Sequence, residues 1–157
     1  MKSGRIAGLL LATVTPLLAA HAAPLTFSTA RKDPTWAKRF DAMFEHAMKP
    51  GWLNSATESE AVQVSLDGKP YQVVLACKRH DCHNHQIAVL FNPTASYALL
   101  FETQDNSTDE KLTWLNIGGG PESIDGKTIL YAAITGSLFN HPKTFSYGEE
   151  KAASEPH

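Results

Sequence analysis

The chain of 157 residues has few cysteines, no excess of positive charge and no long uninterrupted apolar segment. Two cysteines are too few for a fold that depends on a disulfide framework. The formal charge of -2, from 14 basic and 16 acidic residues, offers no electrostatic surface for nucleic acid. The composition, 43% hydrophobic and 19% charged, is typical of one globular domain and excludes a disordered or fibrous chain.

Residues 1–22 predict a cleaved secretory signal peptide. Lys2 and Arg5 precede an apolar stretch over residues 6–20, which is shorter than the ~20 residues that a membrane-spanning helix needs. Small residues suit cleavage after Ala22, and no cysteine follows that could carry a lipid anchor. We therefore expect a soluble periplasmic protein without a membrane anchor, in which 12 basic residues face 16 acidic ones.

The hydrophobic pattern predicts one domain over residues 23–147, followed by a flexible polar tail over 148–157. A helix is expected to start at Asp33-Pro34, to run through Ala47 and to stop at Pro50. A second helix is expected between Asp125 and Pro142. Alternating or continuous apolar stretches predict five strands between these helices, over residues 62–66, 71–76, 86–91, 96–103 and 112–117. This order predicts an α+β fold with two layers, a five-stranded antiparallel sheet and helices covering one face.

Three consecutive glycines, Gly118 to Gly120, separate the last strand from the second helix. Glycine-rich turns at such a junction can bind phosphate through their backbone N–H groups. This segment matches neither the P-loop nor the dinucleotide-binding fingerprint, so we interpret it as a turn.

The segment from Cys77 to His85 is polar throughout and lies between two apolar strands. A hairpin connection needs only two to five residues, so this longer one is expected to project from the sheet. Export to an oxidising compartment favours a disulfide between Cys77 and Cys82 over a reduced metal site. So small a ring stabilises the fold by only about 2 kcal/mol, which favours a role in shaping the loop, with His80 near its tip.

The residue types of this loop leave three functions open. His80, His83 and His85 could bind zinc or copper, although disulfide-bonded cysteines are lost as ligands. A Cys-His or His-Asp pair could catalyse a reaction, although a bridged cysteine cannot attack a substrate. A preorganised loop could instead enter a concave site on another protein.

The motif Cys-Lys-x-His-Asp-Cys between two apolar strands, followed by an Asn92-Pro93 turn, resembles that of the Ivy family, inhibitors of vertebrate lysozyme. The resemblance implies a periplasmic inhibitor of c-type lysozyme that is not an enzyme and needs no cofactor or metal. It implies that His80 inserts between the catalytic carboxylates of the lysozyme. The implied inhibitory loop comprises Cys77, Lys78, Arg79, His80, Asp81 and Cys82.

The resemblance also suggests roles for the neighbours of His80. Asp81 is expected to pair with basic residues of the lysozyme or to orient His80, and Lys78 and Arg79 to lie at the rim. Family members usually carry proline where this chain has Arg79, which adds bulk and charge at a position where proline would fix the backbone. Two targets stay open, a host lysozyme or the cell's own lytic transglycosylases, and a homodimer occurs in the family.

Overall fold

The computed structural model describes residues 23–142 of the chain. The predicted signal peptide, residues 1–22, lies outside the described residues, as do the end of the predicted domain at 143–147 and the predicted tail at 148–157. Within the described part, no helix is both long and apolar enough to cross a bilayer.

An antiparallel sheet forms the centre of the molecule, as the sequence predicts. The strands are β1 Thr57–Glu58, β2 Val62–Leu66, β3 Lys69–Cys77, β4 His85–Phe91, β5 Ser96–Glu102 and β6 Lys111–Leu115. Strands β3, β4, β5 and β6 are neighbours in chain order, and β1 and β2 both pair with β3 along its other edge. The five predicted strands correspond to β2 through β6, and β1 is an additional short strand.

The two predicted helices begin close to where the sequence places them but are shorter than predicted. The α-helices are α1 Phe27–Ala30, α2 Pro34–Ala42, α3 Asp125–Ile134 and α4 Ser137–Asn140, with 3-10 helices at Gly51–Ser55 and Pro121–Ser123. Backbone N–H groups of Thr35 and Trp36 donate to Asp33 Oδ1 at 2.8 and 3.2 Å, which fixes the start of α2. This helix ends at Ala42 instead of continuing through Ala47. Gly136, with φ of 80°, separates α3 from α4, so the single predicted C-terminal helix is two.

Helices cover both faces of the sheet, not one, so the predicted two-layer arrangement is wrong although the α+β class is confirmed. Along β4, Ile87 and Val89 pack with α1 and α2, whereas Ala88 and Leu90 pack with α3 and α4. Successive strand residues point to opposite faces, so a strand that is apolar at every position needs cover on both sides. The N-terminal and C-terminal helices therefore form separate outer layers, with the sheet between them.

The triple-glycine segment is a turn, as predicted, and it binds an anion supplied by its own chain. Backbone N–H groups of Gly118 and Gly120 each donate to Glu122 Oε1 at 3.1 Å, and Gly119 has φ of 82°. Burial raises the pKa of the Glu122 carboxyl, but backbone N–H groups bonded to it outweigh that effect and hold the pKa below its ordinary value. The carboxylate thus fixes the approach to α3.

Candidate functional site

The polar segment forms the connection between β3 and β4 and is closed by a disulfide. Cys77 is the last residue of β3 and lies opposite Gln86 of β4. Its bond to Cys82, with Cα atoms 4.8 Å apart, confirms the predicted disulfide. The N–H of Lys78 donates to His85 O at 3.0 Å, which extends the strand pairing by one step into the loop.

A tight turn of four residues presents His80 to solvent. The N–H of Asp81 donates to Lys78 O at 2.9 Å, so Arg79 and His80 are the two central residues of the turn, and both are exposed. His80 has φ of 63°, in the left-handed region that the third residue of a type II turn requires. Within residues 23–142 its imidazole makes no hydrogen bond or ion pair. The side chain is therefore presented with its polar atoms free.

Asp81 is bound to the base of the loop. Its carboxylate contacts Lys78 Nζ at 2.7 Å and His85 Nδ1 at 3.0 Å through Oδ2, and Oδ1 accepts from Asn84 Nδ2 at 2.9 Å. The hydrogen bond from Lys78 is the main reason that the pKa of Asp81 is lowered; burial works against it, and Asn84 and His85 add to the lowering. None of these bonds reaches His80, so Asp81 and Lys78 stabilise the turn from inside.

Asn84 is a residue that sequence reasoning missed. It is 6% exposed, and its Nδ2 donates to Asp105 Oδ1 at 2.7 Å as well as to Asp81. The main-chain carbonyl oxygen of Asn84 accepts from Thr103 N at 2.9 Å. These bonds join the base of the loop to the connection that follows β5. No local pattern signals this role, because Asp105 is 21 residues away in the chain.

The three histidines point to different surroundings. His83 is exposed, and His85 is half-buried with its ring centroid 6.5 Å from that of the Trp52 ring, in an edge-to-face arrangement. Within residues 23–142 no three histidine, cysteine, aspartate or glutamate side chains gather as a metal site. The alternative of a zinc or copper site formed by His80, His83 and His85 therefore gains no support.

An exposed turn that is held rigid on a packed sheet domain is the type of surface that proteinaceous inhibitors present to an enzyme cleft. The family model described as inhibitor of vertebrate lysozyme (Ivy) matches residues 35–125, a range that includes the whole loop. The chain belongs to this family.

Curated relatives agree with the family match. The inhibitor of vertebrate lysozyme from Escherichia coli K12 is 43% identical over 126 residues, which cover 78% of this chain and 80% of the relative. The protein of the same name from Pseudomonas aeruginosa is 31% identical over 81 residues, which cover 48% of this chain and 53% of the relative.

Proposed function

We propose that this chain is a periplasmic inhibitor of c-type lysozyme, without catalytic activity of its own, that blocks the glycan-binding cleft with the loop from Cys77 to Cys82. The family and the names of the relatives support lysozyme as the target. The observation that carries the loop assignment is the exposed His80 at the tip of a disulfide-closed turn, with no hydrogen bond to the described residues. The sequence of residues 1–22 supports the periplasmic location.

The chemistry of the target suits an imidazole. A lysozyme cleaves glycan with two carboxyl groups, one a general acid and the other an ionised partner. An imidazole has two ring nitrogens that can each form a hydrogen bond, so His80 placed between the carboxyl groups can bond to both. The same position excludes the sugar. Binding needs little ordering, because the disulfide and the bonds of Asp81 already hold the turn.

The charge of the exported chain assists encounter with such a target. Without residues 1–22 the chain has 12 basic and 16 acidic residues. Lysozymes of this type are strongly basic, so opposite net charges speed association and high salt slows it.

The test is lysis of a peptidoglycan suspension by a c-type lysozyme, with and without the oxidised protein lacking residues 1–22. We expect inhibition to saturate near one inhibitor per lysozyme. A chitin oligosaccharide that fills the glycan cleft should compete with the inhibitor. Absence of inhibition at micromolar excess contradicts the function, and inhibition that the oligosaccharide leaves unchanged contradicts insertion into the cleft.

The same assay with a lytic transglycosylase distinguishes the two targets. Such an enzyme also binds glycan in a cleft, so the loop could block it by the same contact. Inhibition of the transglycosylase at lower inhibitor concentration than the lysozyme would make the cell's own enzyme the main target. Sedimentation of the free inhibitor and of its lysozyme complex tests the homodimer.

A further inference from the structure

A pocket with a positive lining lies beside the loop. Its volume is about 380 Å³, and Arg79 contributes to its wall. Because Arg79 directly precedes His80, a protein that surrounds His80 also comes close to the Arg79 side of this pocket. The charged and polar side chains that line it are those of Ser28, Arg31, Lys32, Asn54, Ser55, Glu58 and Arg79.

The guanidinium of Arg31 is held in place by neutral groups. Nη1 donates to Leu53 O at 3.2 Å and to Asn54 Oδ1 at 3.3 Å, and Nη2 donates to the same Oδ1 at 3.3 Å. The group also lies over two aromatic rings, 5.6 Å from the centroid of Phe27 and 5.9 Å from that of Phe40. A guanidinium has five N–H donors, so this one keeps donors for a ligand while its position is fixed.

The pocket has more positive than negative charge. Glu58 is the acidic residue in its lining, and both carboxylate oxygens are already bonded, at 2.6 Å each, to the N–H and the hydroxyl of Ser28. Within residues 23–142 no ion pair joins Arg31, Lys32 or Arg79 to a carboxylate. By contrast, Lys78 in the same loop is paired with Asp81. The pocket therefore has one cation held in place, that of Arg31, and two further cations without an ion pair to the described residues, beside the single carboxylate of Glu58.

We infer that this pocket binds a carboxylate of the inhibited lysozyme, outside the pair that His80 meets, and that Arg31 and Arg79 thereby determine which lysozymes are inhibited. This inference rests on the proposed function. A lysozyme that closes over the loop removes both guanidinium groups from water, which costs free energy unless an opposite charge meets them. A planar guanidinium binds a carboxylate with two parallel hydrogen bonds, so a lysozyme with an acidic residue here is favoured and one without it is rejected.

Local pairing with a carboxylate and long-range attraction predict opposite effects on lysozyme binding when a cation is removed from the inhibitor. Removing a cation makes this acidic inhibitor more acidic, which speeds its encounter with a basic lysozyme. Removing a cation that meets a carboxylate in the complex instead weakens binding, mainly through faster dissociation. Lys38 is exposed, lies on α2 and does not line the pocket, so Lys38→Gln reports the long-range effect alone.

The experiment measures association and dissociation rates with a c-type lysozyme by surface plasmon resonance, using the oxidised inhibitor without residues 1–22. We expect Arg79→Gln to weaken binding about tenfold, which corresponds to ~1.4 kcal/mol. Lys38→Gln should leave the dissociation rate unchanged. Arg31→Lys keeps the charge but loses the paired donors, so it should weaken binding by a similar factor, with its thermal unfolding measured to confirm the fold.

Amide substitutions at acidic residues along the rim of the lysozyme cleft identify the partner carboxylate. We expect one of them to weaken binding to the unaltered inhibitor but not further to the Arg79→Gln variant. Equal effects of Arg79→Gln and Lys38→Gln, or no such coupling at any rim carboxylate, overturn the inference and leave the proposed function standing. Failure of the unaltered inhibitor to bind lysozyme overturns the proposed function itself. Loss in Arg79→Gln of binding to a soluble acidic peptidoglycan fragment, with lysozyme binding retained, also overturns the inference.

Discussion

Replacing His80 by glycine and by alanine separates the effect of the backbone conformation on stability from the effect of the imidazole on inhibition. His80 has φ of 63°, a conformation that costs an L-residue about 1–2 kcal/mol and costs glycine nothing. Glycine loses more conformational freedom on folding, by about 0.5–1 kcal/mol, but the Cys77–Cys82 ring already limits that freedom in the unfolded chain. We therefore expect the free energy of unfolding of the glycine variant to be about 1 kcal/mol higher than that of the alanine variant.

Lysozyme inhibition by the two variants should not follow their difference in stability. Both variants lack the imidazole, so each should bind lysozyme at least ~30-fold more weakly, the loss expected for an anchor worth about 2 kcal/mol. His83→Ala is the matched control, because His83 is exposed and lies outside the disulfide ring. It should inhibit within about twofold of the unaltered protein, as near-neutral contacts around an anchor do.

Urea unfolding gives the stabilities, and inhibition constants from the rate of peptidoglycan lysis give the binding. A glycine variant no more stable than the alanine variant refutes the backbone argument. A folded His80→Ala variant that inhibits like the unaltered protein refutes the role of the imidazole. Equal losses for His83→Ala and His80→Ala refute the assignment of the tip.

Four further predictions concern the loop and the glycine turn. Serine at both Cys77 and Cys82 should lower the free energy of unfolding by about 2 kcal/mol and weaken inhibition, as measured by urea unfolding and the lysis assay. Asn84→Ala should leave two carboxylates without their shared donor, destabilise the fold by about 1–3 kcal/mol and weaken inhibition, by the same measurements. Arg79→Pro should raise the free energy of unfolding by about 0.4–1 kcal/mol, because the second position of the turn accepts proline. Glu122→Gln should reduce stability by about 1–3 kcal/mol without changing inhibition. Because the pKa of Glu122 is lowered, its contribution is present above the ordinary value of 4.5 and is lost as the pH falls through the lowered pKa, so the difference between the two proteins should vanish in acid.

Each of these predictions has an outcome that contradicts it. Unchanged inhibition by the double serine variant would mean that the disulfide does not preorganise the loop. Normal inhibition by Asn84→Ala would mean that inhibition does not depend on the hydrogen bond from the Asn84 side chain to the β5–β6 connection. A less stable Arg79→Pro variant would contradict the turn geometry, and a stability difference for Glu122→Gln that persists below the lowered pKa would contradict the carboxylate as its cause.

The strands of this fold could be predicted from the sequence because each has its own apolar pattern, but the side on which the helices pack could not. The signal was present in β4, where five consecutive residues from Ile87 to Phe91 are buried. A continuous apolar strand indicates cover on both faces. Hairpin connections between neighbouring strands favoured the one-sided arrangement, and they carry no information about the face on which each terminal helix packs.

The features of the loop that depend on residues close together in the chain could be predicted from the sequence. Spacing and export predicted the disulfide between Cys77 and Cys82, and the hairpin predicted the projection. The contact between Asn84 and Asp105 and the shared pocket of Arg31 and Arg79 join residues far apart in the chain. Such contacts depend on the relative positions of packed elements, which periodicity does not specify. Likewise, the sequence could not show that Asp81 turns toward Lys78 and His85.

The base of the loop is hydrogen-bonded to the domain, whereas its tip is not. The domain can therefore present different residues at the tip without a change in the base. Asp81 and Asn84 carry the bonds that hold the base, whereas Arg79 and His80 make none to the rest of the described chain beyond the turn itself. The two tip residues can therefore be exchanged at small cost in folding free energy. Libraries varied at these two positions should yield folded proteins that recognise other enzyme clefts.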